Sequence, residues 1–148
     1  MSSSKLEHLK MLQAVITRMA GNSFQVKTWC ITLTSALLAL SAKDARFMVF
    51  VAYLPVLMFW WLDAFFLRQE RLYRELYDHV RTSDKDESDF SMKTLGKDSE
   101  DDKPASKVDS QSKVGFSKTL LWFYGWLFVA VSAAVYVVMC LLPPPVQK

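Results

Sequence analysis

The stretch Thr119–Leu142, TLLWFYGWLFVAVSAAVYVVMCLL, decides the fold class, because no charged residue interrupts it. A bilayer's hydrocarbon core is about 30 Å thick and takes about 20 apolar helical residues to cross. Two more aromatic-rich apolar runs precede this stretch, Phe24–Ala42 and Phe47–Leu67, and the first is marginal in length. A soluble domain of 148 residues could not bury so much apolar surface in one core. The sequence therefore predicts an all-α integral membrane protein with three transmembrane helices.

Basic residues flank the three runs unevenly. The chain has 18 Lys+Arg against 15 Asp+Glu, and this net charge of +3 is too small to argue for binding of duplex nucleic acid. Most lysines and arginines precede the first run, follow the second or precede the third, whereas the opposite side has only Lys43, Arg46 and Lys148. The positive-inside rule therefore predicts a cytoplasmic N-terminus and long loop, and an external C-terminus.

Residues 1–22 are predicted to form a cytoplasmic amphipathic helix. Ser4 and Glu7 have the spacing of a capping box at its start, and Gly21 with Asn22 supplies a predicted stop. One apolar stripe recurs at steps of three and four residues: Leu9, Leu12, Ile16 and Met19.

Residues 23–67 are predicted to form a transmembrane hairpin, with spans at 24–42 and 47–67 joined by a tight external turn. Pro55 lies near the middle of the second span, where the lost backbone hydrogen bond permits a kink. The first span has small residues at close-packing intervals, which indicates a position inside a helix bundle.

Residues 68–118 are predicted to hold a cytoplasmic helical extension of the second span, followed by a flexible charged loop. Within this loop, 89–95 alternates weakly in the manner of a short strand. Residues 119–148 then form the third span and a short outer tail. Cys30 and Cys140 would lie at opposite membrane depths, so we expect no disulfide between them, and each is interpreted as a packing residue.

Asp63 is the candidate ion site, since it is the one acidic residue within a predicted span. A carboxylate inside a membrane is costly and usually faces a pore or a partner. Thr32 and Ser35 are further candidates for a pore lining. The structural alternative is that Asp63 lies near the headgroups and bonds to Trp61, Arg68 or a neighbouring chain.

Four arginines and one aromatic residue are candidate cytoplasmic ligand contacts, by charge and by stacking respectively: Arg68, Arg71, Arg74, Arg81 and Phe90. The alternative is a solvated ion-pair face, because Glu70 and Glu75 lie four residues from arginines, and a simple packing role for Phe90. His8 and His79 are predicted to lie at the surface. The sequence shows no phosphate-binding loop, metal cluster or nucleophile–histidine constellation, so we expect no enzyme, cofactor or metal.

Four blocks of the sequence resemble small bacterial membrane proteins encoded near mobile elements and defence islands. They are LEHLKMLQAVITRMAGNSFQVKTW from Leu6, LDAFFLRQERLYRELYDHVR from Leu62, DFSMKT from Asp89 and FSKTLLWFYG from Phe116. The named family that the chain resembles is the membrane effector of Hailong-type antiphage systems. That resemblance implies a homo-oligomeric ion channel of the inner membrane, held shut by a DNA oligomer from a partner nucleotidyltransferase.

The expected function is therefore an oligomeric membrane effector, a ligand-gated channel or pore that depolarises the bacterial inner membrane during antiphage defence. One chain with three spans is too small to enclose a pore, so this hypothesis requires a homo-oligomer in the lipid bilayer. Two other classes remain open: a membrane anchor or adaptor that recruits a cytoplasmic partner, and a holin-like lysis protein.

Overall fold

The structure, a computed structural model, describes residues 3–41, 48–83, 90–94 and 107–141. Within these ranges 88% of the residues are helical and no strand occurs, which confirms the all-α class. The helices are α1 (Ser3–Ser41), α2 (Met48–Val51), α3 (Tyr53–Thr82), α4 (Gln111–Gly115) and α5 (Lys118–Leu141). The predicted external turn, most of the charged loop and the outer tail lie outside the described residues.

Among the described residues, one helix is long and apolar enough to cross a membrane, judged by length and composition. It is the Lys118–Cys140 portion of α5, whose mean hydropathy is 2.0. The prediction of three spans is not confirmed by this criterion. The threonine and serine hydroxyls of the first run lower its mean hydropathy, and the helix of the second run is interrupted at Ala52.

The predicted helix stop at Gly21 is wrong, because α1 continues through it to Ser41. Gly21 does not have the positive φ with which a glycine ends a helix. A glycine inside a helix lowers the stability of that helix by about 1 kcal/mol relative to alanine. The long helical stretches on both sides of Gly21 offset this loss. The amphipathic segment and the first apolar run are therefore parts of one helix.

The predicted kink near Pro55 appears as a break at Ala52, between α2 and α3. Proline has no amide hydrogen to donate to the carbonyl four residues earlier, and its ring crowds that carbonyl. The helical ladder consequently ends at Val51 and begins again at Tyr53, which places Pro55 in the first turn of α3.

The predicted strand at 89–95 is wrong for the residues that the structure describes, since 90–94 have no regular secondary structure. Phe90 has a φ of 52°, in the left-handed region, which is incompatible with an extended strand.

The prediction of a flexible loop is wrong near the C-terminal end of that loop. Residues 111–115 form α4, and Val114 is buried.

The chain divides into two compact units. Unit 1 comprises Met1–Ser23 and Phe65–Val114, and unit 2 comprises Phe24–Ala64 and Gly115–Lys148. Unit 1 buries three of the four residues of the predicted apolar stripe of α1, and the fourth, Met19, is half-buried. Its buried hydrophobic residues are Leu9, Leu12, Ile16, Leu72, Leu76 and Val114.

Unit 2 has a mixed interior, in which the apolar side chains of Val26, Val56, Leu120 and Val131 are buried together with small and polar residues. Cys30 and Thr34 of α1, Asp63 and Ala64 of α3, and Tyr124 of α5 are all buried. Side-chain hydrogen bonds link its helices, among them the Tyr53 hydroxyl with the Ser132 hydroxyl at 2.9 Å.

Candidate functional site

A buried ion pair joins α1 to α3 within unit 2. The Lys27 Nζ lies 2.5 Å from the Asp63 Oδ2, and the Asp63 side chain is fully buried while that of Lys27 is 22% exposed. Sequence reasoning proposed Trp61, Arg68 or a neighbouring chain as the partner of Asp63. The charge that neutralises Asp63 is instead Lys27 of the same chain.

Sequence reasoning missed Lys27 because it was counted only as a basic residue at the cytoplasmic end of the first run. A signal for the pair was present, since Lys27 and Asp63 lie at almost equal distances along the chain from the 43–46 turn. In an antiparallel hairpin, residues equally far from the turn lie at the same depth. Two opposite charges at one depth then find each other because neither is stable alone in a low-dielectric interior.

Aromatic side chains of α5 surround the pair. The Lys27 Nζ lies 5.8 Å from the centroid of the Phe123 ring, within the range of a cation–π contact. The Tyr124 hydroxyl donates to the Phe59 carbonyl at 3.2 Å, and the tyrosine ring is buried beside Asp63. The pair is thus enclosed by all three long helices of unit 2, α1, α3 and α5.

One face of α1 continues the interior of unit 2 beyond the ion pair. Cys30 is buried and its Sγ lies 3.9 Å from the Pro55 carbonyl. One helical turn later, the Thr34 Oγ1 is buried and has no hydrogen-bond partner within the described ranges. Thr34 was not singled out from the sequence, because only its burial distinguishes it from the other threonines of α1.

Thr32 and Ser35, the predicted pore residues, are exposed, and the structure does not bring them together with Asp63. They lie on the side of α1 away from Cys30 and Thr34. The Thr32 hydroxyl donates to the Thr28 carbonyl at 2.9 Å, so its polar group is satisfied by its own helix.

The four candidate arginines do not form one cluster. Arg74 pairs with Glu70 at 2.6 Å, which confirms an ion pair predicted from helical spacing. Arg81 approaches Asp78 at 3.6 Å, and the Arg68 Nε donates to the Asp109 carbonyl at 3.3 Å. The segment that contains Asp109 is held to α3 at a second point, because the Lys107 amide donates to the Glu75 carboxylate at 2.8 Å.

Phe90 lies in a different part of unit 1, against His8. The two ring centroids are 5.7 Å apart, and the His8 Nε2 donates to the Ser91 carbonyl at 3.2 Å. A second contact nearby is the 2.6 Å hydrogen bond from the Lys5 Nζ to the Ser83 carbonyl. The prediction that His8 lies at the surface is wrong, since it is 1% exposed.

These contacts hold the 90–94 segment on the N-terminal half of α1. His8 and Lys5 lie one helical turn apart, so both reach the same side of the helix. The hydrogen bond from His8 offsets the cost of its burial, because a buried imidazole needs a partner. His79, the other histidine, is exposed as predicted.

No family model matches the chain, and no similar protein was found among curated sequences or solved structures. Within the described residues, no group of three or more His, Cys, Asp or Glu side chains could hold a metal ion. The buried ion pair and the exposed hydroxyl face of α1 are therefore the features on which a function can be argued.

Proposed function

We propose that this chain is a three-span protein of the bacterial inner membrane, and that several copies assemble into a ligand-gated ion channel. The observation that carries the proposal is the exposure of most large aromatic side chains of unit 2. Its interior holds an ion pair and a threonine hydroxyl among buried valines and Leu120, while Trp29, Trp61, Trp122 and Trp126 are exposed.

The exposed apolar residues of unit 2 occur on every long helix. Phe24 is 72% exposed on α1, Met58 is 65% exposed on α3 and Trp126 is 64% exposed on α5. A soluble protein rarely exposes large contiguous apolar patches, because water makes them costly. Lipid removes that cost, and the exposed apolar side chains support immersion of all three helices, including the first run with its lower hydropathy.

The proposed pore lies between copies of the chain. Thr32 and Ser35 point away from the interior of their own unit, so they line a path only where several α1 helices meet. Small residues on one helix face permit the close approach that such an assembly requires. The face contains Thr28, Thr32, Ser35, Ala36 and Ala39, all exposed.

Asp63 takes a structural role in this proposal. Its carboxylate is fully buried and neutralised by Lys27, so it holds α3 against α1 rather than lining the pore. Removing one partner of a buried pair is costly, because the other charge then remains uncompensated.

Unit 1 is the proposed cytoplasmic sensor. Its surface carries arginines and carboxylates, and hydrogen bonds attach its loop segments to α1 and α3. The proposed signal is an oligonucleotide made by a partner nucleotidyltransferase, as the resemblance implies. Arg68, Arg71, Arg74, Arg81 and Phe90 remain its candidate contacts.

A membrane anchor or adaptor is the second candidate function. It is favoured by the Lys27–Asp63 pair, because these two charges neutralise each other and are not available to an ion path. In that case the exposed hydroxyl face of α1 would pack against a partner helix.

Single-channel recording in a planar bilayer separates the two functions. The channel proposal expects discrete conductance steps from the purified protein, and a changed unitary conductance for Thr32→Val, which removes a hydroxyl without changing shape. Leu33→Ile is the matched control, since Leu33 is an exposed apolar neighbour. A membrane-inserted protein without conductance, with or without an added oligonucleotide, would favour the anchor.

Reporter fusions test the proposed orientation. A periplasmic reporter fused after Lys148 is expected to be active, and the same reporter inserted at Gly96 is expected to be inactive. Activity at Gly96 would contradict the cytoplasmic placement of unit 1 and the sensor role with it.

A further inference from the structure

An apolar groove of about 680 Å³ lies between α1 and α5 within unit 2. Ile31 forms the α1 side, and the α5 side consists of Thr119, Trp122, Phe123, Trp126, Leu127 and Ala130. Its volume is within the range of small-molecule sites in proteins, roughly 300–1,000 Å³.

The length of the groove matches one leaflet of a bilayer. From Thr119 to Ala130 it follows α5 for about 16 Å, at roughly 1.5 Å per residue. Half of a hydrocarbon core of about 30 Å is about 15 Å. An extended acyl chain that enters at one end of the groove would therefore reach the middle of the bilayer at the other.

Lysines adjoin the end of the groove at Thr119 without being among the residues that line it. Lys118 precedes Thr119 and is exposed, and the Lys27 Nζ lies 5.8 Å from the Phe123 ring that lines the groove. Lys27 is neutralised by Asp63, so Lys118 is the cation left for a ligand at this end. Trp122 and Trp126 stack with ring centroids 6.1 Å apart, and tryptophan is enriched at the level of the headgroups.

We propose that this groove binds one acyl chain of an anionic phospholipid of the cytoplasmic leaflet, with the lipid phosphate on Lys118. The inference rests on the proposed membrane placement of unit 2 but not on channel activity. A helix of a second copy fits the groove less well, because bulky aromatic side chains form its wall. The small residues that allow close helix packing, Thr28, Thr32 and Ser35, are not among the residues that line it.

Native mass spectrometry tests the proposal with protein extracted from vesicles of equal parts phosphatidylglycerol and phosphatidylcholine. The unaltered protein is expected to retain phosphatidylglycerol in preference to phosphatidylcholine. Lys118→Gln is expected to reduce that preference about fivefold, the typical contribution of one lysine near an anionic surface. An unchanged preference would overturn the assignment of the phosphate to Lys118.

Filling the groove tests the acyl-chain site itself. Ile31→Trp is expected to reduce retained lipid several-fold, whereas Leu33→Trp is the matched control. The two residues lie on the same helix and are 46% and 43% exposed, but only Ile31 lines the groove. Equal lipid loss in both variants, or none in Ile31→Trp, would overturn the proposal.

Two further outcomes are decisive. If Ile31→Trp changes the mass of the oligomer and leaves lipid retention unchanged, the groove is an interface between copies and the proposal is wrong. If Ile31→Trp does not insert, Ala130→Leu fills the opposite end of the groove and decides in its place. Absence of the unaltered protein from carbonate-washed membranes would instead contradict the proposed function.

Discussion

Units 1 and 2 are both helical and both bury aliphatic side chains, but they differ in the residues that they expose. Unit 1 buries leucines and exposes charged groups such as Arg74 and Asp78. Unit 2 buries Asp63 and Thr34 and exposes tryptophans, phenylalanines and leucines. The difference is the one that the proposed membrane placement of unit 2 requires, since lipid tolerates exposed aromatic side chains and water does not.

Helix α1 shows this contrast within a single element. Its first half buries Leu12 and Ile16, as expected where water drives apolar groups together. Its second half buries Cys30 and Thr34 while Trp29 is 60% exposed. This increase in exposed aromatic surface along α1 is what we expect of a helix that passes from water into lipid.

The largest expected effect is the loss of one partner of the buried ion pair. Lys27→Met should destabilise unit 2 by about 3–5 kcal/mol, because it leaves the Asp63 charge uncompensated in a low-dielectric interior. The measurement is the fraction of folded, membrane-extracted protein across a denaturant or temperature series.

The double variant Lys27→Met with Asp63→Leu should recover most of this loss, since two apolar groups then replace the pair. Lys10→Met is the control, because Lys10 is exposed on the same helix. If Lys27→Met and Lys10→Met were equally mild, the ion pair would not hold unit 2 together.

Local patterns along the chain predicted only part of this structure. The apolar stripe at Leu9 and Leu12, the ion pair of Glu70 with Arg74 and the break near Pro55 all follow from interactions within a few residues. The Lys27–Asp63 pair and the burial of His8 depend on groups far apart in sequence. The predicted hairpin offered a signal for the pair, in the equal distances of Lys27 and Asp63 from the turn, whereas the burial of His8 could not be predicted without the arrangement of the helices.

The exposure of Thr32 and Ser35 illustrates the same limit at the candidate site. Helical spacing puts small residues on one face of α1, but it does not tell whether that face lies inside the chain or outside it. In the fold Thr34, which directly precedes Ser35 in the sequence, is the buried threonine of α1. The orientation of a helix about its axis depends on its packing partners.

The next largest effect on stability is expected for a substitution in the interior of unit 1. Leu12→Ala should cost about 2–5 kcal/mol, because Leu12 is fully buried and its loss leaves a cavity. Hydrogen exchange should show faster exchange in residues 5–20 and in α3 beyond Phe65, with unit 2 protected as before. Met11→Ala, at a position 49% exposed, is the control and should have little effect.

A smaller effect is expected at His8. His8→Ala should cost about 1–3 kcal/mol, because it leaves the Ser91 carbonyl without its donor and removes the contact with Phe90. Limited trypsin digestion should then cleave faster after Lys93. His79→Ala, at an exposed histidine, should leave the cleavage rate unchanged, and equal rates in all three proteins would contradict the attachment of 90–94 to α1.

The smallest effect on the stability of one chain is expected for Thr32→Leu. Thr32 is exposed and its hydroxyl bonds only to its own helix, so the free energy of unfolding should change by no more than about 0.5 kcal/mol. The same substitution should weaken the oligomer seen by crosslinking in detergent, because it adds bulk to the small-residue face. An unchanged crosslinking pattern would remove Thr32 from the proposed interface.

The central claim is that unit 2 lies in lipid and unit 1 in water. It is tested most directly by measuring whether lipid or water contacts the surface of each unit. Single spin labels are placed at Trp29→Cys, Leu57→Cys and Val129→Cys in unit 2, and at Met11→Cys in unit 1, after Cys30 and Cys140 are replaced by alanine. In lipid vesicles, oxygen should relax the unit 2 labels strongly and a water-soluble nickel chelate should not, with the opposite result at Met11→Cys. Equal access of the nickel chelate to all four labels would contradict the account that unit 2 lies in the membrane.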